Sequence, residues 1–169
     1  MGRNKALLPF HGTTLAQAVA ETVRAAAGSA TLVGGSLVLR GIGFVPDLYP
    51  GEGPLGGILT ALHHSTADWN LIVACDMPDV NADFLCQLLD RAEGSQADAV
   101  VPIGSSGRLE PLCAAYHRKA LGGLQAAFAR GVRKIATALE EIRTVTWAVP
   151  ELSCFQNVNT PEEWAPYER

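Results

Sequence analysis

A chain of 169 residues, 48% hydrophobic and 18% charged, is long and apolar enough for one globular domain with a sizeable core. Its formal net charge of −4 argues against a nucleic-acid surface, so any anion it binds must be held by local groups. Cys75, Cys86, Cys113 and Cys154 form no CxxC pair and read as reduced, mostly buried thiols of a cytoplasmic protein, and no stretch has the apolar length of a signal peptide or a membrane span. In chain order, "MGRNKALLPFHG" is a lysine-bearing loop. "TLAQAVAETVRAAAG" predicts a helix with Leu15, Val19 and Val23 on one face, Thr14 and Gln17 as a capping box, and Gly28 as its stop. "ATLVGG" is a short buried strand. "GFVPDLYPGEGPLGG" is a strand running into a glycine-proline loop, and "ILTALHHS" a helix with Ile58, Leu59 and Leu62 inward. "NLIVACDMPD" is the clearest strand, an unbroken apolar run of the kind covered on both faces. "NADFLCQLLDRAEG" is a helix between Asn81 and Gly94, and "DAVVPIG" a further strand. "RLEPLCAAYH" is extended, two helices are broken near Gly131, "TVTWAV" is a strand, and "NTPEEWAPYE" opens a last helix at Thr160. The alternation predicts a three-layer α/β/α sandwich on a mainly parallel, Rossmann-like sheet.

Ligands of such sheets bind beyond the carboxyl ends of the strands, which points to Gly34, to the loop after Val45 and to Asp76. An apolar strand ending in Asp-Met-Pro sets the Asp76 carboxylate at the sheet edge. One carboxylate suits Mg²⁺, which takes few protein oxygens and leaves the rest to phosphates and water; the other reading is a cap for the next helix. "DLYPGEGPLGGI" holds four glycines and two prolines, so its backbone N–H groups can approach a ligand and its end opens a helix whose N-terminus favours anions. Asp47, at a strand end, could accept hydrogen bonds from a nucleotide. Lys5, with Arg3, could neutralise phosphate, or be solvated like most lysines. Asn157 and Asn159 point the same way along an extended piece and could hold a ligand, or Asn159 and Thr160 could simply start a helix. The His63-His64 pair reads as solvated. There is no G-x-S-x-G elbow and no Walker sequence.

In this order, "MGRNKALL", "DLYPGEGPLGGI", "CDMP" and "NVNTPEE" resemble the molybdenum cofactor guanylyltransferases, the MobA family of the nucleotidyltransferase superfamily. The resemblance implies that Lys5 contacts the GTP phosphates and that Asp47 belongs to the guanine-nucleotide site. It implies that Asp76 is the Mg²⁺ ligand, that Gly53, Pro54 and Leu55 border the nucleotide, and that Asn157 and Asn159 are active-site amides nearer the pterin. The implied reaction is attack by the terminal phosphate of molybdopterin on the α-phosphorus of GTP, with pyrophosphate leaving. Implied partners are the enzymes that insert molybdenum and those that accept the cofactor; nucleic acid and membrane are not expected. Neighbouring readings are a cytidylyltransferase of the same pterin, a nucleotidyltransferase for another phosphorylated acceptor, and a non-catalytic pterin- or partner-binding protein. Three positions depart from the family pattern. Asn4 replaces a frequent Asp, Gly34 stands where some members carry an Asn that touches the nucleotide, and Glu110 replaces a frequent His. A fourth departure is the absence of the family's first strand and its Leu-Ala-Gly-Gly segment. Residues 1–169 are therefore expected to be a single nucleotidyltransferase-like domain, N-terminally incomplete.

Overall fold

A computed structural model describes residues 5–104, 107–149 and Tyr167. A 3₁₀ turn at Lys5–Leu7 leads into a small hairpin of β1 (Pro9–Phe10) and β2 (Thr13–Thr14). His11 and Gly12, with φ of 45° and 80°, make its two-residue turn. Positive φ at both central residues matches the right-handed twist of hairpin strands, so part of what reads as an opening loop is a strand pair. Helix α1 (Leu15–Ala27) starts at Thr14, whose hydroxyl accepts the Gln17 N–H at 3.3 Å, and stops at Gly28 in the left-handed region. Only half of the predicted capping box forms. Instead of reaching back to Thr14, the buried Gln17 amide donates to the Arg40 carbonyl at 3.0 Å and accepts the Arg40 N–H at 2.8 Å. That exchange ties residues 34–42 to the helix.

β3 (Thr31–Val33) and β4 (Gly43–Val45) pair in parallel as a separate ribbon. Helix α2 (Pro54–His64) follows, with Ile58, Leu59 and Leu62 all buried as predicted. β5 (Trp69–Val73), α3 (Ala82–Glu93), β6 (Ala99–Ile103), β7 (Cys113–His117), α4 (Ala120–Ala129), α5 (Ile135–Ala138) and β8 (Thr144–Ala148) complete the described elements. The larger sheet has the order β5-β7-β6-β8. β6 and β8 are parallel, and β7 runs antiparallel to both β5 and β6, so β5, β6 and β8 share one direction. The expected single sheet is thus three among the described residues, the β1-β2 hairpin, the β3-β4 ribbon and a four-stranded sheet with one inverted strand.

The three layers follow from period-two alternation along the strands. Val100, Cys113 and Ala115 pack with Leu15, Val19, Leu85 and Leu88 of α1 and α3. Their neighbours Ala99, Val101, Ala114 and Tyr116 pack with α2, α4 and α5 on the opposite face. Asn81 caps α3 as predicted, its Oδ1 accepting the Phe84 N–H at 2.9 Å. Gly131, at φ 90°, breaks α4 from α5. The cysteines are less buried than expected: Cys113 is buried, Cys75 half-buried and Cys86 exposed, because Cys86 falls on the outer face of α3. No helix of the described residues is long and apolar enough to cross a membrane. Cys154, Asn157, Asn159 and the predicted last helix lie outside the described residues, as does Arg3.

Candidate active site

Four connections meet the carboxyl edge of the strands. The first follows β3. Gly34 has φ +71°, and its N–H donates to the Val45 carbonyl at 2.9 Å. A Cβ there would stand 3.2 Å from Asp47 Cβ. Gly34 and Asp47, singled out separately from the sequence, are therefore side by side.

The second is the loop after β4, residues 46–53. One Asp47 oxygen is used by the fold: Oδ1 accepts the Tyr49 N–H at 2.9 Å, an Asx turn, and lies 2.9 Å from the Thr60 hydroxyl. Thr60 sits on the first turns of α2, fully buried, with its hydroxyl also 2.9 Å from the Gly56 carbonyl and accepting the Leu48 N–H at 3.1 Å. The other end of the loop is fastened from outside. Glu52 Oε2 meets Arg133 Nε at 2.6 Å, the Arg133 guanidinium lies 3.8 Å from the Phe128 ring centroid, and Phe128 lies 4.8 Å from the Tyr49 ring. Gly56 permits this closeness, since a Cβ there would come within 2.9 Å of Tyr49 Cβ.

The loop ends at the N-terminus of α2. Gly53 is the N-cap at φ 81° with no side-chain cap, and Pro54 occupies the first turn. Proline has no N–H to leave unsatisfied and the Gly56 N–H donates back to the Gly53 carbonyl at 3.1 Å, so this end offers an anion the Leu55 N–H and the helix dipole. Leu55 corrects the sequence reading in part. Its side chain is fully buried against α4 and α5, so only its backbone faces the edge.

The third connection follows β5. The Ala74 N–H donates to the Leu112 carbonyl at 2.8 Å, and the chain then turns through Cys75 and Asp76 into buried Met77 and Pro78. Asn81, not Asp76, caps α3, which removes the helix-cap reading of Asp76. The Asp76 carboxylate is half-buried and makes no hydrogen bond or ion pair with described residues. No group of three or more His, Cys, Asp or Glu side chains gathers as a metal cage among those residues. A lone, unpartnered carboxylate at a strand end fits a Mg²⁺ ion that draws its other ligands from phosphate and water. Burial and the neighbouring Asp76 charge push the Cys75 thiol up, so it stays protonated and serves as packing.

The backbone of Lys5 comes to the same place. Ala6 is buried with Ala16 and Leu39, and Leu32 and Cys75 pack against that cluster. The fourth connection, between β6 and β7, brings Glu110. It is buried, its N–H donates to the Pro102 carbonyl at 2.9 Å, and its carboxylate lies 3.4 Å from Arg108. Burial pushes the Glu110 carboxyl up, with Arg108 opposing. Thr60, Phe128 and Arg133 escaped the sequence reading. Thr60 left one signal, a hydroxyl on an otherwise apolar helix face, which requires a buried partner.

The model of the MobA-like NTP transferase domain matches residues 1–144. A Methanothermobacter thermautotrophicus protein called "Probable molybdenum cofactor guanylyltransferase" is 38% identical over 123 residues, which span 69% of this chain and 62% of that one. A Bacillus cereus protein of the same name is 29% identical over 180 residues, spanning 99% of this chain and 89% of its own. Among solved structures, molybdopterin-guanine dinucleotide biosynthesis protein A of Archaeoglobus fulgidus superposes with a TM-score of 0.81 at 28% identity, over 99% of this chain and 90% of that one.

Proposed function

We propose, for a chain that belongs to the MobA-like NTP transferase family, that it transfers GMP from GTP to molybdopterin and releases pyrophosphate. The observation that carries this reading is the meeting of three parts at one strand edge: the Gly34–Asp47 pair, the open N-terminus of α2, and the unpartnered Asp76 carboxylate. The names of the Methanothermobacter and Bacillus relatives supply the nucleotide and the acceptor.

Each part has a task. The free side of Asp47 accepts hydrogen bonds from the nucleoside, while its Oδ1 stays committed to Tyr49 and Thr60. The α2 N-terminus, bordered by Gly53 and Pro54, holds phosphate through the Leu55 N–H and the helix dipole. Lys5 and Arg3 supply positive charge to the phosphates, and Asn157 and Asn159 orient the pterin. Asp76 would hold Mg²⁺, which when bound neutralises charge on the phosphate oxygens. A terminal phosphate oxygen of molybdopterin forms the new bond to the α-phosphorus, and the bond from that phosphorus to pyrophosphate breaks. Such a transfer needs positioning and charge rather than a protein nucleophile, and these residues provide positioning and charge. An acidic protein manages this because the neutralisation is local. The reaction is placed in the cytoplasm, beside the enzymes that insert molybdenum and those that accept the cofactor.

The test separates binding from turnover. Titration calorimetry with GTP and with CTP reads the base, and pyrophosphate release with Mg²⁺ and molybdopterin reads the transfer. GTP is expected to bind and turn over, and CTP to do neither. Turnover with CTP alone overturns the guanylyl assignment, and binding of neither nucleotide overturns the transferase reading.

A further inference from the structure

We propose that Glu110 is a specificity-determining residue for the acceptor: its carboxylate takes the paired N–H donors on the pyrimidinone edge of the pterin. The identity of the acceptor rests on the proposed function; the placement of Glu110 rests on the connection between β6 and β7.

That connection is built around this residue. Val100 pairs with Ala115 and Ile103 with Leu109, so three steps along β6 are matched by six along the returning chain. The surplus forms a bulge at residues 110–113, and a bulge at a strand end re-aims a side chain. Its backbone is held from both sides. The Glu110 N–H donates to the Pro102 carbonyl at 2.9 Å, the Cys113 N–H to the Glu110 carbonyl at 3.0 Å, and the Ala74 N–H to the Leu112 carbonyl at 2.8 Å. The hydroxyl of fully buried Tyr116 donates to the Pro111 carbonyl at 2.8 Å.

The Glu110 carboxylate is the exception. Its side chain is only 9% exposed, yet among the described residues it has one partner, Arg108, through a single Nε at 3.4 Å. A buried carboxylate needs good hydrogen bonds to both oxygens to offset its desolvation, and one long contact to an arginine 74% exposed does not supply them. Glu110 is a buried acceptor left short of donors. Arg108 shows the shape of the missing partner, because a carboxylate and a guanidinium meet best through two parallel N–H···O bonds. A 2-amino-4-oxopyrimidine ring presents the same fork, a ring N–H beside an exocyclic amine, on a rigid plane. It displaces the loosely held Arg108. A divalent cation would need further oxygens, and no group of three or more His, Cys, Asp or Glu side chains gathers among the described residues.

Guanine carries the same edge, so position decides between the two rings. Asp76 lies two residues past Ala74 and Glu110 two residues before Leu112, and Ala74 and Leu112 are hydrogen-bonded, so the two carboxylates stand on adjoining strand ends. The Gly34–Asp47 pair lies on the other side of β5, across the cleft that β3 and β5 line. Asp76 therefore stands between the nucleoside end and Glu110, which leaves Glu110 to the acceptor.

The test compares pterin with lumazine, which has an oxygen in place of the 2-amino group. Binding of each is read by fluorescence and needs no turnover. The wild type is expected to prefer pterin by about 10-fold or more, the worth of a hydrogen bond to a charged group. Glu110→Gln keeps the shape and offers an N–H to the lumazine oxygen, so the preference is expected to vanish while GTP affinity, read by calorimetry, stays unchanged. A wild type without the preference, or a variant that keeps it, overturns the proposal. A loss of GTP affinity in the variant assigns Glu110 to the guanine edge and overturns it as well. Arg108→Gln gives an independent reading should the first variant fail to fold. Removing the competing guanidinium is expected to tighten pterin about 3-fold, the worth of an exposed ion pair, and to leave lumazine unchanged. Pterin binding that is unchanged or weaker there overturns the proposal. Pyrophosphate release from GTP and molybdopterin by the wild type is measured separately. Release without a ring preference sinks the Glu110 assignment alone; a ring preference that depends on Glu110, without release, sinks the transferase reading alone.

Discussion

Thr60 Oγ1 lies 2.9 Å from Asp47 Oδ1, and through that contact the interior of α2 sets the position of a carboxylate at the sheet edge. The same hydroxyl accepts the Leu48 N–H, so Thr60 braces the start of the glycine-rich loop as well. Thr60→Val keeps the side-chain volume and removes both roles. It is expected to cost about 1–3 kcal/mol in urea unfolding, the penalty of leaving a buried polar partner unsatisfied. Because Asp47 is displaced rather than deleted, KM for GTP is expected to rise more than kcat falls. An unchanged KM would assign Asp47 to the fold alone.

Gly34 gives a second expectation. With φ +71° and Asp47 Cβ 3.2 Å from a modest side-chain position, alanine is opposed both by the backbone and by its neighbour. Gly34→Ala is expected to destabilise by about 1–2 kcal/mol, the cost of a left-handed alanine, read by thermal or urea unfolding. Gly34→Asn is expected to lose less, since asparagine tolerates this region. A Gly34→Ala variant as stable as the wild type would overturn the close approach of Gly34 and Asp47.

Much of this arrangement is legible in the sequence, and the illegible part has a physical pattern. Local signals identify their elements well. Gly28 stops α1, Asn81 caps α3 and Gly131 divides α4 from α5, whereas the apolar run read as a strand up to Asp76 leaves the sheet at Val73 and turns through Cys75 and Asp76. The strand-end rule picks out Gly34 and Asp47, yet says nothing of their contact, which depends on β3 and β4 pairing in parallel register. The inverted direction of β7 is equally silent, because "CAAYH" reads the same in either orientation. Gln17 reads as half a capping box and serves instead as a clasp on Arg40, a partner 23 residues away. The apolar run of β5 reads as a strand covered on both sides; its half-burial shows what pattern alone does not, that covering depends on a neighbour as well as on sequence.

Glu110 gives a pH expectation. Its folded carboxyl is pushed above the ordinary value of 4.5, mainly by burial. A folded state that holds the proton more tightly than the unfolded chain is most favoured below the unfolded value. That stability is lost as pH rises through the folded value. Glu110→Gln removes the titration and keeps the shape. The melting-temperature difference between variant and wild type is therefore expected to be least below pH 4.5 and to move in favour of the variant as pH rises above it. A difference that is flat across that range would mean that Arg108 fully offsets the burial.

The Glu52–Arg133 pair is close, at 2.6 Å, but both side chains remain about half exposed at 47% and 40%. An exposed pair contributes under about 1 kcal/mol, so Glu52→Gln is expected to leave the melting temperature nearly unchanged. What the pair does restrain is the loop between Asp47 and Gly53, through Phe128 and Tyr49. Amide exchange in residues 48–53 is expected to quicken in Glu52→Gln while the α4 amides stay protected. Quickening across α4 as well would place the pair in the core rather than on the loop.

Asp76 separates stability from chemistry. Its carboxylate has no described partner, so Asp76→Asn, which keeps the shape and removes the charge, is expected to change unfolding free energy by less than about 0.5 kcal/mol. Turnover is another matter: a site that stabilises charge at a reacting phosphate loses on the order of 10²-fold or more when one such group is removed. The variant is thus expected to fold and melt normally and to release pyrophosphate at least about 100-fold more slowly, without recovery at higher Mg²⁺. A neighbour reports independently on the charge. Asp76 is one of the causes that raise the Cys75 thiol, so in the variant alkylation of Cys75 should begin at lower pH than in wild type. Normal turnover in a variant whose Cys75 response has shifted would show that the charge is present at the edge and is not the metal ligand.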